Sequence, residues 1–524
     1  MLLCIFLWKL RCKCFLLCDD FDFMNNKRVV VIGAGLGGLF CGAILAKEGW
    51  SVQVLEKHYT AGGGLHTFKR NGFAFDTGMH YVAGFEEGGA LRKLCAYLGV
   101  LNKLDFSPLS ADAFDVLRVS SDGAEYGFPI GEDAFVEKMQ SYFPHQQAQI
   151  KAYVKDLAAI TNPVEMLQLR YSERPVTYES GMGIEPLGRF MERHFSEPKL
   201  VGALLWNSAL YGGNRAFTPA YMHAVVSRFF IKGATRFSKG AQQLADALVQ
   251  VIEANGGEVR LRVEVCAVEL THNKEVMGVQ LTTGERVGGT HFISTVHPEV
   301  SLSWFPQSAF PKAFSHRIME QKHTDSTFSV FATLQAGRFP YINSNIFYAR
   351  DYVDICSPPV WDESGPNVTM AFTAPSGREG AFARTLKISA PISFGPFSRW
   401  QGTLPGQRGS DYEACKCQYA DLLLTRAAAL FPDLPKAIDS FYAASPLTYQ
   451  YYTGSKNGSN FGFSKDCRNL HFSRLLPRTK IPNFFFSGQN LNMHGILGVP
   501  ISAVITCGEL IGLEHFLKKL EQGG

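Results

Sequence analysis

The stretch from Arg28 to Lys57 limits the fold more than any other part of the chain. It opens with an unbroken apolar run, Val29-Val30-Val31-Ile32, and passes at once into Gly33-Ala34-Gly35-Leu36-Gly37-Gly38. A helical pattern follows, with Leu39, Phe40, Ala43 and Ile44 on one face, ending near Gly49. A second strand, Val52-Gln53-Val54-Leu55, then closes on the acid Glu56. Strand, glycine turn, helix, strand and terminal acid together make a dinucleotide-binding unit. Gly33 serves the tight turn, Gly35 lets a pyrophosphate approach the backbone, and Gly38 lets the helix pack on the strand. The helix start offers unpaired N–H groups and a partial positive charge to the phosphates. Glu56 suits a ribose hydroxyl pair and would repel a 2′-phosphate.

The next residues narrow the dinucleotide. Lys57 is followed by His58-Tyr59-Thr60-Ala61-Gly62-Gly63-Gly64-Leu65-His66, a second glycine-rich turn directly after the acidic strand. A nicotinamide domain has no evident use for it. The pair of motifs resembles the signature of FAD enzymes in the monoamine oxidase and phytoene desaturase superfamily. Gly72-Phe73-Ala74-Phe75-Asp76-Thr77-Gly78-Met79-His80-Tyr81 is similar to a narrower group, the retinol saturases and their bacterial relatives, beside the carotenoid desaturases and isomerases.

The resemblance implies an α/β fold: a Rossmann-like FAD-binding domain of the glutathione-reductase type, discontinuous in sequence, with an inserted mixed α+β substrate domain. The expected division is 24–105, 233–300 and 479–524 for the FAD-binding parts, with 106–232 and 301–478 for the substrate domain. In the second FAD-binding part, Leu244, Leu248, Val251 and Ile252 share a helix face that Asn255-Gly256-Gly257 ends. Val259, Leu261, Val263 and Val265 alternate as one strand, and a hairpin and a further strand, Phe292 to Thr295, follow. The resemblance puts the backbone of Val265 beside the adenine. The last part reads as a buried strand at Asn483 to Ser487, a turn through Gly488-Gln489-Asn490, then Gly498-Val499 and a helix from about Pro500 to Leu517. Many relatives carry an acid near Gly488 for a ribityl hydroxyl. Here Gln489 and Asn490 make that contact an amide one.

Composition serves mainly to exclude. A net charge of +4 on 524 residues gives no case for nucleic acid. Cys415-Lys416-Cys417 has no second pair at zinc spacing, so no metal is expected, and the scattered cysteines fit a reducing, cytoplasmic setting. Residues 1–23 read as an extension outside the fold, with Met24 the natural start. The competing reading is a short amphipathic anchor, since the apolar run is too short and too interrupted to span a bilayer.

Chemistry then falls to the flavin, because no GxSxG turn or cysteine–histidine nucleophile pair is evident. A flavin transfers hydride while the protein supplies orientation and protons. The expected substrate is an apolar polyene or isoprenoid, such as a retinoid or carotenoid, whose carbon–carbon double bonds are reduced, desaturated or isomerised. The electron donor or acceptor is left open, and contact with a membrane surface is expected to be peripheral. His80, with Tyr81 beside it, is the expected proton donor, its pKa taken as unperturbed near neutral pH. His66 and His494 also fall in flavin-side motifs. Gly33, Ala34, Gly35, Leu36, Gly37, Gly38, Glu56, Lys57, Gly62, Gly63, Gly64, Leu65, His66, Val265, Gly488, Gln489, Gly498 and Val499 are the expected cofactor contacts. Two other readings stay open: a flavin amine oxidase, and a non-catalytic lipid binder like the Rab GDP dissociation inhibitors.

Overall fold

A computed structural model describes residues 27–175 and 183–522. The expectations for residues 1–23 and for Met24 lie outside the described residues.

A five-stranded, wholly parallel sheet gathers strands from distant parts of the chain. Its order is Phe484–Phe486, His291–Ser294, Arg28–Ile32, Ser51–Leu55 and Glu258–Arg260. The central strand, Arg28–Ile32, is buried almost throughout, as a parallel strand covered on both faces must be. The helices Leu36–Lys47, Gln242–Ala254 and Gly495–Ile511 lie together on one face. The other face is covered by an antiparallel meander, Val265–Leu270, Val276–Leu281 and Arg286–Gly288. This is the Rossmann-like, discontinuous FAD-binding fold. Beside it stands a seven-stranded mixed sheet in which only Asn345–Ala349 and Asp115–Val119 pair in parallel. The helix Ser410–Leu430 packs over one part of it.

Two local expectations fail for identifiable reasons. The alternating run from Val259 to Val265 is not one strand. Arg262 adopts φ +61°, which breaks it into Glu258–Arg260 of the parallel sheet and Val265–Leu270 of the meander. The C-terminal helix does not begin at Pro500 and run to Leu517. It starts at Gly495 with Pro500 inside it, ends at Ile511, and turns through 120° at Gly512 into Leu513–Gln522. Tertiary burial overrides the usual N-terminal placement of proline, since Pro500 and its neighbours pack against Leu36–Lys47. Among the described residues no single helix is long and apolar enough to cross a membrane; only this bent pair passes on length and composition.

Candidate active site

The two glycine turns meet at the carboxyl ends of the parallel strands, where open α/β sheets place their ligands. Gly33, at φ +96°, donates its N–H to Leu55 O at 2.8 Å, and Gly62 donates to Ala34 O at 2.8 Å. A Cβ on Gly38 would lie 1.8 Å from Gly33 O, so only glycine fits there. A Cβ on Gly35 would meet nothing within 4 Å, and the same holds at Gly64. The chain therefore closes tightly around Gly38 and leaves a backbone cradle at Gly35, as a bound pyrophosphate needs. The helix Leu36–Lys47 starts with no side-chain cap, so its first turn faces that cradle unprotected.

Glu56 is buried and held by two backbone donors, Ala34 N to Oε2 at 2.8 Å and His58 N to Oε1 at 2.9 Å. It links the first glycine turn to the second while presenting a fixed carboxylate at the strand end. Lys57 is exposed and donates to Tyr451 O at 3.3 Å. Leu65 is buried; His66 is half-buried, 3.5 Å from the Tyr59 hydroxyl, and burial lowers its pKa. Val265 is buried in one cluster with Ile32 and Leu55, the residues that end the first two strands. From the far end of the chain, Gly488 backs onto Gly37, whose Cβ would lie 3.1 Å from Gly488 Cα. The Asn490 side chain is committed to Phe463 N at 2.9 Å. Gln489 is half-buried with no protein partner among the described residues. A Cβ on Gly498 would strike Met493 at 2.4 Å, and Val499 is buried beside it. These residues fit FAD: an open backbone cradle at Gly35 for phosphate, an anchored carboxylate at Glu56 and an amide at Gln489.

The His80 motif is tied to the second glycine turn. Thr77 Oγ1 donates to His66 O at 2.8 Å, and a Cβ on Gly78 would lie 2.9 Å from Gly64 O. Beyond this turn a narrow cleft is lined by Phe75, Met79, His80, Phe237, Phe372 and Lys387. The His80 ring stacks on Phe372 at 4.5 Å.

Lys387, which sequence reasoning missed, comes from the strand Thr385–Ile392 of the large sheet. It is buried, donates to Thr77 O at 2.6 Å, and stands 2.7 Å from His80 Nε2. Desolvation lowers its pKa to about 7, with Asp76 pulling the other way. Desolvation, then the charges of Lys387 and Arg236, hold His80 well below 6.5. The expectation of an unperturbed histidine is therefore corrected: Lys387 is the member of the pair that titrates near neutral pH. Its signal in the sequence is a lone cation inside the apolar run Leu386-Lys387-Ile388.

Tyr81 points elsewhere. Its hydroxyl donates to Asp115 Oδ2 at 3.0 Å, beside Trp206 Nε1 at 2.9 Å, while Asn345 Nδ2 donates to the other oxygen at 2.6 Å. Arg236 closes the network on Asn345 Oδ1 at 2.5 Å. Burial pushes Asp115 up to about 6 and, with that carboxylate beside it, the Tyr81 phenol well above 10. His494 is buried against Phe461 and lowered to about 3, mainly by desolvation.

The chain as a whole is similar to known proteins. The family described as flavin containing amine oxidoreductase matches residues 36–384. The all-trans-retinol 13,14-reductase of Macaca fascicularis is 27% identical over 535 residues, covering 95% of this chain and 87% of that protein. The chloroplastic prolycopene isomerase of Arabidopsis thaliana is 23% identical, covering 94% of this chain and 84% of that protein. Among solved structures, an oxidoreductase from Methanosarcina mazei shares the fold, with a TM-score of 0.63 and 14% identity over 91% of this chain and 98% of that chain.

Proposed function

Because this chain belongs to the flavin containing amine oxidoreductase family, we propose that it uses FAD to act on carbon–carbon double bonds of an apolar polyene, in the direction of reduction. The relatives named for a retinol reductase and a prolycopene isomerase support a substrate of this class. The observation that carries the reading is the Lys387–His80 pair in a cleft walled by Phe75, Phe237, Phe372 and Met79. Most of the lining is apolar, and the pair supplies the one thing a double-bond reduction needs from protein, a proton.

Bound flavin supplies the hydride that one carbon accepts. The neighbouring carbon then needs a proton. Lys387 holds it at Nζ near neutral pH, 2.7 Å from His80 Nε2, and His80 forms the cleft wall. In our reading the proton leaves Lys387 for His80 Nε2 and is handed on from the opposite ring nitrogen. Tyr81 acts as a positioning residue: through Asp115 it fixes the loop that carries His80 to the large sheet. Glu56 and Gln489 are the side chains that would take the ribose and ribityl hydroxyls.

Incubating the pre-reduced holoenzyme with all-trans-retinol and a carotenoid panel tests this. The expected product carries two more hydrogens by mass, with re-oxidation of the flavin. Conversion of amines and of no polyene would overturn it. An apolar substrate of this kind resides in lipid, so we infer uptake at a membrane surface; co-sedimentation with anionic vesicles checks that inference. The electron donor is an external reductant, to be identified by which reductant supports turnover.

A further inference from the structure

Three side chains near the end of the strand His291–Ser294 belong neither to the residues that fit FAD nor to the Lys387–His80 cleft. His297 caps the short helix Pro298–Ser303, and Glu299 lies in its first turn. His323 comes from the segment before the long strand Ser326–Leu334 and bridges Phe463. One ligand atom from each lies within 4.8 Å of the other two. His297 is 3% exposed. Its Nε2, Glu299 Oε1 and His323 Nε2 are all buried, and none has a hydrogen-bond partner among the described residues. Glu299 Oε1 and His323 Nε2 approach to 3.3 Å without the alignment of a hydrogen bond. The two imidazoles face each other at 5.1 Å with 25° between their planes, and Phe463 packs against both.

Three orphaned polar atoms in one cluster whose ligand atoms come within 4.8 Å of one another are costly unless something occupies the space between them. We propose that His297, Glu299 and His323 bind one divalent transition-metal ion of the zinc class. Two imidazoles and a carboxylate, without thiolate, suit this class better than calcium or copper(I). Three protein ligands leave a fourth position for water. Lys456 Nζ sits 3.5 Å from Glu299 Oε2, so it holds the outer oxygen and leaves Oε1 turned to the imidazoles. Coordination through Nε2 places the His297 ring proton on Nδ1. The long 3.4 Å contact that Nδ1 accepts from Glu299 N is then given up.

The ion would brace a loop that backs the first glycine turn. A Cβ on Gly33 would meet Thr295 Oγ1 at 2.8 Å and the Val296 side chain at 3.3 Å, and His297 follows at once. A metal tying His297 and Glu299 to His323 would hold that backing in place.

The test uses untagged holoenzyme, treated with chelator and titrated with Co²⁺ and then Zn²⁺. The expected result is one Co²⁺ per chain with visible d–d bands and no thiolate charge-transfer band, displaced by Zn²⁺, together with a raised thermal midpoint. His323→Ala and Glu299→Gln each weaken binding by at least about 100-fold while flavin content stays unchanged. Glu299→Gln keeps the side-chain volume and decides the matter if His323→Ala does not fold. Absence of stoichiometric uptake by the folded wild type, or uptake unaltered by Glu299→Gln, overturns the proposal.

Discussion

Replacing Lys387 with methionine tests its place in the site through stability as well as activity. The side chain is 8% exposed, and burial takes its pKa from 10.5 to about 7. A drop of that size corresponds to about 5 kcal/mol of destabilisation when the lysine is charged in both states. The folded protein releases the proton near pH 7 and the unfolded chain near pH 10.5. Between those values the unfolded chain binds more protons, so wild-type stability rises with pH. The destabilisation is full below pH 7, fades through the window and is gone above it. Methionine removes it and also removes the Nζ bonds to Thr77 O and His80 Nε2, worth about 1 kcal/mol net apiece. The variant should be more stable than wild type by about 3 kcal/mol at pH 6. That advantage should shrink by about 1.4 kcal/mol per unit above pH 7 and vanish near pH 9. Urea unfolding of both holoproteins at intervals from pH 6 to 9.5, with equal m-values, measures it. A stability difference that does not change with pH, or a variant weaker at pH 6 than at pH 9 relative to wild type, would refute a neutralised buried lysine.

His80→Ala should keep its flavin and slow flavin re-oxidation by polyene by at least about 100-fold in stopped flow, sparing reduction of a dye; an unchanged polyene rate would return His80 to a packing role. Gly35→Ala should fold as wild type, within about 0.5 kcal/mol, because its Cβ meets nothing within 4 Å and its φ of −70° suits alanine, yet lose FAD. Gly38→Ala, with its Cβ 1.8 Å from Gly33 O, should lose several kcal/mol, about 4 or more, in thermal and urea unfolding. Equal stability of the two variants would refute the cradle reading. Glu56→Arg should emerge from purification largely without flavin, since it replaces the acceptor held by Ala34 and His58 with a cation; wild-type flavin absorbance would count against Glu56.

The legible part of this protein is local in sequence. Gly33, Gly35 and Gly38 fall within one turn, and Glu56 ends the very next strand, so spacing alone announces the dinucleotide unit. The helix over Gln242–Ala254 was equally readable, because its buried face repeats at the helical period. Local pattern failed where a single backbone angle or a distant packing partner decided the matter. Arg262 at φ +61° divides a run that alternates like one strand. Pro500 sits inside a helix because the helix is buried against Leu36–Lys47.

The proton chemistry belongs to tertiary structure. Asp76-Thr77-Gly78-Met79-His80-Tyr81 singled out one loop as the candidate for proton chemistry, but not which way its side chains turn. Only folding brings Lys387 from the large sheet onto Thr77 and His80, and sends Tyr81 into the Asp115 network. The reason is physical: a pKa is set by desolvation and by nearby charge, and both are properties of the assembled interior. Spacing along the chain determines which turn can cradle a phosphate. Burial at a junction of segments 310 residues apart decides that a lysine, rather than the histidine beside it, holds a proton near neutral pH.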